Sequence, residues 1–187
     1  IVKITALIGQ GGEFLLTLQP IIMCMLIAMT FCILIVSPFT TVGIGLAIGL
    51  SGIGSGAANL GICAAGFGLA VAGLKVNSVG TCIAHFIGSP KMSMANVIAK
   101  PKILLPMLCS SALLGILAAV FSIQGTPASA GFGFSGLVGP IYALNLMENG
   151  WTTGNILLVA VIFVVAPIIF NIFFIHVFEK VVQWIQP

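Results

Sequence analysis

The chain has 187 residues, 60% of them hydrophobic and only 5% charged, with a mean hydropathy of +1.29. Soluble domains carry about 25% charged residues, so the composition excludes a soluble globular protein and indicates an all-α integral membrane protein. Six lysines, no arginine and three glutamates give a net charge of +3, too little for a nucleic-acid surface, and no nucleic-acid partner is expected.

The chain opens at Ile1 rather than Met and lacks the charged, apolar and small-residue pattern of a signal peptide. Part of a longer protein is therefore expected, with residues 1–187 as a single transmembrane domain. Residues 1–12 read as a connector. Glu13 to Val36 then forms the first apolar run, closed by Ser37-Pro38, because the residue before a proline leaves the helical region.

Thr40 to Val76 is uncharged until Lys75 and dense in glycine. Interior glycines weaken a helix in water by roughly 0.5–1 kcal/mol each. In a bilayer, small residues allow close helix contact, and Gly45/Gly49, Gly52/Gly56 and Gly61 with Ala65 have that spacing. The stretch exceeds the ~20 residues of one span. It predicts a short dipping helix over Thr40–Leu50, an unwound turn at Gly52–Gly56 and a full span over Ala57–Leu74. Broken helices at membrane depth occur where they are buried in protein or line a cavity.

Asn77 to Lys102 is more polar. Val79–Ile87 is apolar but too short to span, and Gly88-Ser89-Pro90 stops it. Ile103–Ile123 is a charge-free span. Phe132–Leu146 is cut by Gly136, Gly139 and Pro140 and reads as another re-entrant element. Asn155–Val177 is the last span, with Pro167 inside it. Altogether the chain predicts about four spans, near residues 14–36, 55–75, 103–123 and 155–178, with short elements near 40–50, 79–88 and 132–146.

Ser37 to Gly45 and Thr126 to Gly133 share a pattern, which suggests a weak internal repeat of 37–75 with 126–178. With four spans, all six lysines fall on one side, the positive and cytoplasmic side. Lys75, Lys91, Lys100 and Lys102 are expected to face the cytoplasm. Segments dipping from both faces would then meet near the midplane.

The stretches GSGAANLGICAAGFGLA, NSVGTCIAHFIGSPKMSMANVIAKPKILLPMLCSSALLGILAAVF and AGFGFSGLVGPI together resemble the EIIC-like membrane components of the sugar phosphotransferase system. The likeness runs from about Pro38 to Ile141 and is nearest to the perfringolysin-regulator-like branch. Its most specific part is an order: a Gly/Ala/Asn span, a short dip, the step around Asn96, Ile98 and Lys100-Pro101-Lys102, and the loop around Ser135. Members of that family are longer, and this chain matches the C-terminal part. The resemblance implies a permease that binds and translocates a carbohydrate, a separate cytoplasmic phosphoryl-donor protein, a homodimer, and a multi-pass place in the bacterial inner membrane. A membrane sensor that kept the fold, or an ion-coupled transporter of another family, stays open as an alternative.

Candidate binding residues are scarce, because the core holds few polar groups. His85 lies on the short dip beside Thr81, and an ionisable group at membrane depth is a functional candidate by default. By order along the chain, His85 and Glu148 correspond to the sugar-contacting His and Glu that the resemblance implies; no local motif supports the pairing. Asn59, within a span, and Ser135 complete the set, so His85, Asn59, Thr81, Ser135 and Glu148 are the expected substrate contacts. The dip Val79–Ile87 and the loop Ala130–Gly139 should approach each other near the midplane with Asn59 between them. Asn171 and His176 read as helix glue and an interfacial group.

No catalytic residue is assigned. Whether the chain counts as an enzyme is left open, since any phosphoryl chemistry needs a partner. The Gly43/Gly45 and Gly131/Gly133 pairs lack the βαβ context, P-loop lysine and acid of nucleotide loops. Five cysteines in apolar runs read as small buried hydrophobes, and no disulfide, metal or other cofactor is expected.

Overall fold

The computed structural model describes residues 20–74 and 76–180. Helix α1 spans Pro20–Ile35 and buries Cys24, Ala28, Phe31, Cys32 and Ile35, the three-and-four spacing of one helical face. Expected first-span residues 14–19, and Lys75, lie outside the described residues. Helix α2 is short, Thr41–Ala47, and its N-cap Thr40 hydroxyl accepts the Gly43 amide.

Helix α3, Gly52–Gly73, is the axis of the molecule, buried at nearly every position from Gly54 to Ala70. Its glycines explain how. A Cβ on Gly61 would stand 2.0 Å from the Ala28 carbonyl oxygen, so α1 crosses there backbone to backbone. The expected unwound turn at Gly52–Gly56 is helical instead. The chain breaks just before it, at residues 48–51, with Gly49 at φ +66° and Gly52 at φ +57°. Those two glycines supply the left-handed conformations, and the span gains a turn at its start.

Helix α4 is Val79–Ile87, capped by the Ser78 hydroxyl. A 3₁₀ turn at Pro90–Ser93 reverses the chain into α5, Met94–Ala99. The turn Pro101–Ile103 leads into α6, Leu104–Val120. Irregular turns over residues 126–134 end in a 3₁₀ turn, Ser135–Leu137, and α7, Val138–Leu146. Helix α8, Thr153–Ala160, runs through a π-turn at Val161–Val165 into α9, Ala166–Lys180. In that wider turn the Ala166 amide bonds the Val161 carbonyl, five residues back. This accommodates Pro167, whose ring would otherwise press on the preceding turn. One turn on, the Asn171 amide donates to Pro167 O at 2.8 Å and across to Ala64 O at 3.0 Å, so Asn171 ties α9 to α3.

Gly52–Gly73, Pro101–Val120 and Thr153–Glu179 are long and apolar enough to cross a membrane, and Pro20–Leu34 is a shorter apolar helix. The protein is an all-α, membrane-embedded chain with short broken helices between its long ones.

Candidate re-entrant junction

Depth in the junction can be measured along α3. At 1.5 Å per residue, Asn59 lies roughly 10 Å from the Gly52 end and Gly66 roughly 21 Å. Segments arrive at these two levels from opposite ends of the helix.

The Gly52-end segments are α2 and the turns at 126–134. Asn59 Oδ1 accepts the amides of Gly131 at 3.2 Å and Gly133 at 3.1 Å. The Thr41 hydroxyl donates to Gly131 O at 2.8 Å. Ser55 Oγ donates to Thr126 O at 2.9 Å. These groups are buried or half-buried, so each bond satisfies a backbone group that water cannot reach. Next to them Gly136 and Leu137 both adopt φ +59°, a left-handed pair that is strained at the leucine.

The Gly73-end segment is the hairpin of α4, the 3₁₀ turn and α5. The Phe86 ring stacks on Phe67 of α3 with centroids 4.5 Å apart, and Phe134 meets Phe67 edge-on at 5.6 Å. Ser135 Oγ donates to Gly88 O at 2.6 Å. The hairpin and the loop 130–139 therefore do approach each other, alongside the middle of α3.

His85 is buried. Its Nδ1 lies 2.7 Å from Thr81 O and its Nε2 2.6 Å from Ser93 Oγ. A carbonyl only accepts, so Nδ1 carries a proton. Both ring nitrogens are thus engaged inside the hairpin, and His85 offers a ligand neither unless Ser93 gives way. Thr81 joins through its carbonyl; its hydroxyl pairs with Ser78 at 3.0 Å in the α4 cap. Glu148 is exposed beyond α7, and its carbonyl accepts the Asn155 amide at 2.8 Å. It does not line the junction.

A narrow cleft with no room for a water molecule separates Ile62, Cys63 and Gly66 of α3 from His85, Pro90 and Ser135. His85 and Ser135 come together there. Asn59 lies one turn away, behind Gly131 and Gly133.

Two residues escaped the sequence reading. Ser93 sits eight positions after His85, and only the reversal at Gly88-Ser89-Pro90 brings them together. Lys91, at the hairpin tip, donates from Nζ to the Phe39 carbonyl. Phe39 precedes α2 in the opposite segment, so Lys91 links the hairpin tip to that segment.

The fold defines an all-α membrane protein whose short, broken helices pack alongside one buried span. The family model described as "Phosphotransferase system, EIIC" matches residues 1–187, so the chain belongs to that family and is a sugar-transport membrane component. No curated protein and no solved structure matches it.

Proposed function

We propose that the chain binds a carbohydrate at the junction of its re-entrant segments and carries it across the bacterial inner membrane as a multi-pass permease component. A separate cytoplasmic protein donates the phosphoryl group, and two copies form a homodimer. The end of α3 at Gly73, with the lysines after it, faces the cytoplasm. The observation that carries this reading is the meeting of two segments, from opposite ends of α3, alongside its middle. Such a junction can be closed to one side and opened to the other.

In this arrangement the cleft is closed. His85 and Ser135 are the groups placed to take sugar hydroxyls once Ser93 and Gly88 release them, and Asn59 acts by holding the glycine loop. Thr81 orients His85, and Glu148 is assigned no contact. The weak repeat of 37–75 with 126–178 stands as part of this proposal; what supports it is that α2 and the 126–134 turns bond to each other near the Gly52 end of α3.

The test is uptake of a panel of radiolabelled sugars into vesicles, with and without the energy-coupling phosphotransferase proteins. Accumulation of one sugar only when the coupling proteins are present is expected. Binding without uptake would make the chain a sensor. Uptake driven by an ion gradient alone would reject the phosphoryl coupling.

A further inference from the structure

A second cavity, of about 300 Å³, opens beside the Gly73 end of α3, at the lower edge of small-molecule pockets. Leu69, Ala72 and Val97 are among its apolar walls, while Asn77, Ser93, Asn96 and Lys100 are its polar lining. Ser93 belongs to two places at once: it lines this cavity, and its hydroxyl holds His85 Nε2 at 2.6 Å. The Ser93 hydroxyl thus joins this cavity to His85, which lines the closed cleft. Every lining residue falls between positions 69 and 103, a stretch with no Asp or Glu. The lining therefore carries positive charge with no carboxylate of its own.

Amides and a hydroxyl on one wall suit the hydroxyls of a sugar. An ammonium at the rim suits a phosphoryl group, since lysine binds phosphate as a point charge. We propose that this cavity is a product-side subsite that holds a sugar phosphomonoester, with a sugar hydroxyl on Asn77 and its phosphoryl group on Lys100. The assignment rests on the sugar-transport reading and adds a station to it. The sugar passes Ser93 from the cleft, and the phosphorylated product rests in the cavity before release.

The test uses the full chain, its five native cysteines replaced, with one thiol introduced by Asn96→Cys, in phosphatidylcholine vesicles. An anionic sulfonatoethyl and a cationic trimethylammonioethyl methanethiosulfonate are compared, each rate normalised to free cysteine. The anionic reagent should lead by about fivefold, the effect of one partly exposed charge. Lys100→Gln should abolish that preference. Ile83→Cys, 42% exposed on the same hairpin and outside the cavity lining, should show none. Millimolar glucose 6-phosphate should slow labelling of the Asn96→Cys protein several-fold, and more than glucose or inorganic phosphate does.

Equal normalised rates, or a preference that survives Lys100→Gln, overturn the charge assignment. Protection by inorganic phosphate as strong as by glucose 6-phosphate overturns the sugar-phosphate assignment in favour of a free anion. So does protection by phosphatidylglycerol in the vesicles without sugar phosphate, in favour of a lipid headgroup. Sugar uptake is read separately. Loss of the labelling pattern with uptake intact removes this subsite alone, and loss of uptake with the pattern intact removes the transport reading alone.

Discussion

The two re-entrant regions are fastened in different ways. Residues 126–134 are bonded to α2 and α3 by buried side chains: Thr41, Ser55 and Asn59 each hold one or two of their backbone groups. The hairpin of α4 and α5 keeps its buried histidine bonded within itself, with His85 linked to Thr81 and Ser93. Toward its neighbours it offers stacked rings and two bonds, from Ser135 to Gly88 and from Lys91 to Phe39. Rings slide past one another more readily than buried amides change partners. The 126–134 region is therefore a fixed wall, and the hairpin is a body that can move against it.

The sharpest way to break this contrast is at the wall. Gly131 has φ +101°, and a Cβ there would stand 2.6 Å from the Thr41 carbonyl carbon. Gly131→Val should destabilise by more than about 3 kcal/mol and leave no monodisperse protein on size-exclusion chromatography. Recovery of a normal folded peak would show that the wall yields. Next in size is Asn59→Ala, which orphans two buried amides and should remove about 2–4 kcal/mol. Chemical unfolding in detergent measures it; a change below 1 kcal/mol would make Asn59 a ligand group rather than a pin. Smallest is Ser135→Ala, about 1 kcal/mol. Hydrogen exchange should rise across residues 79–99 and stay unchanged at 126–134. Equal acceleration in both regions would end the distinction between body and wall.

Much of this was legible in the sequence. Three of the four expected spans are long and apolar enough to cross a membrane, the first being shorter among the described residues, and the dip Val79–Ile87 ends where Gly88-Ser89-Pro90 says it should. The glycine break was read four residues late, because Gly49 and Gly52 stand in the same run as glycines that merely admit a neighbour, and only φ tells them apart. Site residues were harder. Asn59 and Ser135 stand out as polar groups in an apolar run, but their partners are backbone atoms, which carry no signature. The pairing of His85 with Ser93, and of Lys91 with Phe39 fifty-two positions away, depends on how the hairpin folds back.

Lys91 gives the hairpin an electrical property. A charge that crosses the whole membrane potential exchanges about 2.3 kcal/mol per 100 mV. An ammonium at the hairpin tip that travels a third of that distance exchanges about 0.8 kcal/mol. Any displacement of the hairpin along the membrane normal is then work done with or against the field. Uptake measured at imposed potentials should vary with voltage in the parent chain and flatten in Lys91→Met. The resting voltage of the cell would in that way set the rest position of the moving body, before any sugar arrives.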